Sequence, residues 1–148
     1  MTPDDFINAI APAAQALAKT TRIPASFTVA QAALESGWGA RAPGHNLFGI
    51  KADPSWHGPI VVEATHEHVN GRDVATHDSF RAYDDWLGSL EDHAQFLLTN
   101  PLYSLAFAYT SGATFARAIA AAGYATDPNY AAKLIAIIKT HNLSALDT

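Results

Sequence analysis

The chain has 148 residues, 49% hydrophobic and 16% charged. That length suits one domain, 1–148, with a core of its own, and the composition excludes disorder, collagen-like repeats and low complexity. With no cysteine there is no disulfide, thiolate metal site or cysteine nucleophile. A net charge of −5 without a basic patch argues against nucleic acid and anionic lipid, and no apolar run reaches the about 18 residues of a membrane span.

The amino terminus carries Asp4 and Asp5 where a secretory signal would carry Lys or Arg, and Asn8, Pro12 and Gln15 interrupt its apolar stretch. No signal peptide is expected, and the chain is expected to be made in the cytoplasm. Thr2-Pro3-Asp4-Asp5 opens a helix, with a cap, a proline in the first turn and acids at the positive end of the dipole. Phe6, Ile10, Ala13, Ala14 and Leu17 then follow at helical spacing, and Pro12 predicts a kink or break. Ile23-Pro24 opens a second helix that runs to about Ser36 and ends at Gly37 and Gly39.

Residues 40–59 are rich in Gly, Pro, Asn and Asp and read as loop. Asn70-Gly71 is a strong hairpin signal between strands over 60–69 and 72–82. A two-residue turn sets Val69 opposite Arg72, Glu67 opposite Val74, Thr65 opposite Thr76 and Glu63 opposite Asp78. Asp84 or Asp85 then caps a helix with Leu87, Leu90, Ala94, Leu97 and Leu98 on its inner side, closed by Asn100-Pro101. Short helices are expected over about 101–109 and 112–122, the second stopping at Gly123. Asp127-Pro128 starts a last helix with Ala131, Leu134, Ile135 and Ile138 inward. No repeat or linker interrupts this order. The fold class is α+β, mainly α, with the hairpin lobe at about 58–82 between helices.

Glu35, in Ala32-Ala33-Leu34-Glu35-Ser36-Gly37-Trp38-Gly39, lies in the last turn of an apolar helix. Apolar surroundings and the negative helix end both favour its protonated form, as a general acid requires. An ordinary exposed Glu at a helix end is the competing reading. On the hairpin, Glu63, Thr65 and Glu67 share one face. His66 and His68 share the other, near His77, and read as solvated rather than as metal ligands. Trp38 and Trp56 are candidate sugar platforms, with packing beneath Glu35 the alternative for Trp38. Trp86 reads as core, and Glu91, Asp92 and His93 as exposed.

The stretches AQAALESGWG and HNLFGIKA carry a resemblance that continues, in order, through WHGPIVVEATHEHVNG, FRAYDDWLGSLEDHAQFL, NPLY and AAGYATDPNYAAKLIAII. Over about residues 15–141 the chain resembles the bacterial glucosaminidases of glycoside hydrolase family 73. The resemblance implies a lysozyme-like helical lobe, a hairpin lobe and a cleft between them. It also implies hydrolysis of the β-1,4 bond on the reducing side of N-acetylglucosamine in peptidoglycan. By position it makes Glu35 the catalytic acid, Glu67 the second carboxylate and Tyr124 a residue near the scissile bond, with His68 where relatives often carry Tyr. Glu63 is a rival for the second carboxylate, Asn46 and Phe48 are expected at the cleft floor, and Tyr103 and Tyr130 read as packing residues. No metal or organic cofactor is implied. The expected partner is the glycan strand of peptidoglycan, met by a monomer at the cell wall, as a phage endolysin or a secretion-system component. A muramidase, a lytic transglycosylase and a silent glycan-binding or assembly module stay open as alternatives.

Overall fold

Thr2 caps helix α1 (Pro3–Thr21) by accepting the Asp5 amide at 3.1 Å, and the Asp5 carboxylate accepts the Thr2 amide at 2.9 Å. This reciprocal pairing satisfies two amide groups that the first turn leaves free. In the computed structural model all 148 residues are described, apart from the side chain of Glu67. Pro12 does not break α1, contrary to expectation. Pro12 and Asn8 both lie on the exposed face, so the carbonyl that loses its partner is left to water.

Helix α2 (Ala25–Ser36) is the axis of the body, and every residue from Ala25 to Ala33 is buried. A helix apolar all round must be packed on all sides, and α1, α4 (Gly112–Ala121), α5 (Tyr130–Thr140) and the 3-10 segment Leu143–Asp147 surround it. Its small alanine side chains let these neighbours approach. Helix α3 (Trp86–Thr99) starts at Asp85, whose carboxylate accepts the Gly88 amide at 2.9 Å. Leu90, Ala94 and Leu97 are buried in it, but Leu87 and Leu98 point outward, 48% and 41% exposed. The inner stripe is completed instead by His93, which is fully buried rather than exposed, and by Trp86, half-buried against Phe6 with ring centroids 5.2 Å apart.

The segment Pro101–Ala108 is 3-10 rather than α, the last helix begins at Tyr130, and the closing turn Leu143–Asp147 has no counterpart in the expected elements. Strands β1 (Ile60–Val69) and β2 (Arg72–Arg81) pair antiparallel in the expected register, from Ile60 opposite Arg81 to Val69 opposite Arg72. Asn70 and Gly71 both have positive φ, 51° and 76°, as a two-residue turn that follows the twist of the strands requires. An isolated bridge from Lys51 to Phe80 adds an edge to the base of the hairpin.

Candidate active site

Glu35 stands where α2 runs out of neighbours. The chain turns sharply after it, with Gly37, Trp38 and Gly39 all at positive φ, so the last helical turn opens towards the loop over 40–59 and the hairpin. Two pockets meet at its carboxyl. One, of about 300 Å³, is bounded by Arg41, Pro43, Asn46, Glu63, Thr65 and Phe80. The other, of about 410 Å³, is bounded by Phe48, Ile50, Lys51, Phe96, Tyr103 and Tyr124. Gly49 borders both. A third, of about 370 Å³, shares Asp53 and Phe96 with the second and extends the same groove. The largest cavity, about 630 Å³, lies elsewhere, against Lys19, Arg22, Phe107 and Tyr109, and no predicted site residue lines it.

Burial raises the pKa of Glu35, and a hydrogen bond from Tyr130 partly offsets the rise. Tyr130 Oη donates to Glu35 Oε1 at 2.7 Å and accepts from Gln31 Nε2 at 2.9 Å. Burial also holds the Tyr124 and Tyr130 hydroxyls protonated, and the nearby Glu35 carboxylate adds to that. The two rings stack at 5.9 Å, 14° apart, so Tyr124 is carried by its partner on α5.

The cleft floor is set by Asn46. Its Nδ2 donates to the Ile50 and Arg81 carbonyls, both at 2.9 Å, and its Oδ1 accepts from the Phe48 and Ile50 amides at 3.3 and 3.2 Å. One buried side chain thereby shapes the loop and ties it to β2. Phe48 stacks on the His93 ring at 3.6 Å, 8° from parallel. Arg81 bolts the hairpin base to the body. Its Nη1 donates to Asp92 at 3.0 Å, its Nη2 to Asp53 at 3.2 Å and its Nε to the Lys51 carbonyl at 3.1 Å.

Of the predicted residues, Glu35, Asn46, Phe48, Glu63 and Tyr124 line the groove. Glu67 comes two residues after Thr65 on β1, and its side chain lies outside the described residues. Trp38 and Trp56 do not border the pockets at Glu35. Trp38 packs edge-on against Phe6 and His141. Trp56 lies under the Arg81 guanidinium, 4.9 Å from its ring centre, and donates to the Pro59 carbonyl at 2.8 Å. His68 accepts no metal-like cluster among the described residues and instead meets Asp73 at 2.8 Å. The sequence reading missed Tyr130 and Gln31 as partners of the acid. A lone Gln inside an otherwise apolar helix was the available signal.

The family profile described as mannosyl-glycoprotein endo-beta-N-acetylglucosaminidase matches residues 11–143. The peptidoglycan hydrolase FlgJ of Vibrio parahaemolyticus is 40% identical over 143 residues, which is 92% of this chain and 46% of that protein. The chain thus spans about half the length of such relatives. A C-terminally truncated glycoside hydrolase domain of FlgJ from Salmonella typhimurium superposes with TM-score 0.81 at 36% identity, covering 95% of this chain and 98% of that one. The catalytic domain of the autolysin Auto from Listeria monocytogenes superposes with TM-score 0.87 at 33% identity, covering 97% and 86%.

Proposed function

The chain belongs to the glucosaminidase family, and from that premise we propose that it is a peptidoglycan hydrolase cleaving the β-1,4 bond between N-acetylglucosamine and N-acetylmuramic acid. The observation that carries this is the Glu35 carboxyl, half-buried, with its pKa raised by burial, at the meeting point of two pockets of one groove. A carboxyl whose protonated form is favoured by burial can give its proton to the glycosidic oxygen as the bond to the anomeric carbon lengthens. The sugar leaving group departs as an alcohol, and Glu35 is left as a carboxylate held by Tyr130.

Glu67 is the proposed second carboxylate. Its place on β1 is two residues after Thr65, and Thr65 borders the Glu35 pocket. It activates the attacking water, with inversion of configuration where the two carboxyls stand about 6.5–9.5 Å apart; across a wider gap the substrate's own acetamido group takes that part and Glu67 supports the hairpin over the glycan. Glu63 binds the glycan in the same pocket, and Tyr124 positions the sugar next to Glu35. The chain works as a monomer on glycan strands of the cell wall.

The test is Glu35→Gln. It is expected to abolish the turbidity loss of cell-wall suspensions while the protein stays folded, and full activity in that variant would defeat the assignment. Mass analysis of the digest should give reducing N-acetylglucosamine ends. Reducing N-acetylmuramic acid or anhydro ends would replace the reading with a muramidase or a lytic transglycosylase. Binding to the wall without new ends would make it a silent module.

A further inference from the structure

Tyr130 Oη is one link of a longer chain. Gln31 Oε1 lies 2.7 Å from His93 Nε2. Gln31 is completely buried, His93 is 1% exposed, and Tyr130 is 4% exposed. The donor in each link can be deduced. Gln31 uses Nε2 to donate to Tyr130, so its Oε1 faces His93 and can only accept. His93 therefore carries its proton on Nε2. Its Nδ1, buried and without a hydrogen-bond partner, is the bare nitrogen of that tautomer. Burial keeps the ring neutral, with a pKa lowered to about 3, and the flat stack on Phe48 fixes its plane. Tyr130 Oη accepts the hydrogen bond from Gln31, so its own O–H is free to point at Glu35 Oε1. Every donor in the series thus points towards the acid.

We propose that His93, Gln31 and Tyr130 form a one-way donor chain that keeps Glu35 Oε1 an acceptor and so places the transferable proton on its other oxygen, Oε2. This rests on Glu35 being the general acid. Tyr130 is a positioning residue here, with Gln31 and His93 acting through it. The chain does two things for the reaction. It selects which oxygen carries the proton, so no rotation of the carboxyl precedes transfer. It also supplies a hydrogen bond that strengthens as Glu35 becomes a carboxylate, which stabilises the charge developing in the transition state.

Among the described residues, Tyr124, Tyr103, Lys51 and Asp53 line one pocket with Glu35, Arg41 and Glu63 line the other, and Tyr130 from α5 reaches its carboxyl directly. Of these, Tyr130 alone among the described residues makes a hydrogen bond to the acid. Its removal should therefore act on the acid's own titration and leave glycan contacts in place.

The experiment is the pH profile of kcat/KM on soluble glycan fragments for the unmodified chain, Tyr130→Phe and Gln31→Leu, with thermal unfolding measured in parallel. The alkaline limb reports loss of the acid's proton. Tyr130→Phe is expected to move that limb up by about one pH unit and to lower kcat by roughly ten- to hundred-fold, with KM changed less than two-fold. Gln31→Leu, which leaves the Tyr130 hydroxyl in place, is expected to move the limb in the same direction by a smaller amount, and it carries the test should Tyr130→Phe fail to fold. An unmoved alkaline limb in the folded variants overturns the chain. Activity retained in Glu35→Gln would overturn the underlying acid assignment instead, so the two failures are distinguishable.

Discussion

The two walls of the groove are built on different terms. On the body side, Glu35 sits on a helix buried along most of its length and is held through Tyr130 and Gln31, both buried. On the hairpin side, Ile60, Val62, Val69 and Val74 are between 44% and 54% exposed. Outside its own ladder, the hairpin meets the body at its base, through the turn Pro43–His45, the loop residues Asn46, Ile50, Lys51 and Ala52, and the anchor at Arg81. Groups that must keep sub-ångström geometry are placed where packing overdetermines them, and groups that meet a long polymer are placed where the chain has room to yield.

The contrast can be broken from either side. The largest effect is expected at Glu35. Glu35→Gln should lower kcat by about 10²–10⁴-fold in a turbidity or fragment assay. Its stability should change with pH in a definite sense. Glu35 has a folded pKa raised above its ordinary 4.5, so its contribution is complete below that value and is lost as pH rises through the folded pKa. Glu35→Gln should therefore leave Tm nearly unchanged at acid pH and raise it at pH 8. Equal Tm shifts at both pH values would show that the carboxyl is not desolvated.

Next comes the floor. Asn46→Ala removes four hydrogen bonds and leaves the Phe48 and Ile50 amides without that partner, while the Ile50 carbonyl keeps the Arg81 amide at 3.1 Å; it should cost about 2–4 kcal/mol in a denaturant titration. On the hairpin, Glu67→Gln should lower kcat about ten- to hundred-fold, and Glu63→Gln should act mainly on KM. The reverse order would exchange their roles. The smallest effect is expected at the turn. Asn70→Ala at φ 51° should cost about 1 kcal/mol locally and leave the Tm of the helical body within about 1–2 °C. A large global loss would mean that the hairpin and body unfold as one unit.

Much of this was legible before any coordinates. Asn70-Gly71 fixed the register of all ten strand pairs, because a two-residue turn leaves one pairing in which the faces agree. Gly37 marked the end of α2 and so the height of Glu35 in the fold. What was not legible was tertiary. Tyr130 is 95 residues from Glu35 and Gln31 is 62 from His93, and no local pattern joins them. His93 is expected to be exposed with Glu91 and Asp92, but it lies three residues after Leu90 and four before Leu97, on the buried stripe. The prediction for Leu87 and Leu98 failed for the complementary reason: apolar character does not exclude exposure. Trp56, a candidate sugar platform in an open loop, has the Arg81 guanidinium over its ring, a tertiary contact that no local pattern announces.

The anchor at Arg81 has one more consequence. Ten-residue strands reach about 33 Å, and Arg81 grips them at one end, through Asp53 and Asp92. Such an arm has mechanical advantage: a tilt of about 10° at the root carries its far end roughly 6 Å. An engineer seeking a glucosaminidase that accepts bulkier or cross-linked strands should therefore alter the fulcrum, by Arg81→Lys or Asp53→Asn, before touching any residue that meets sugar.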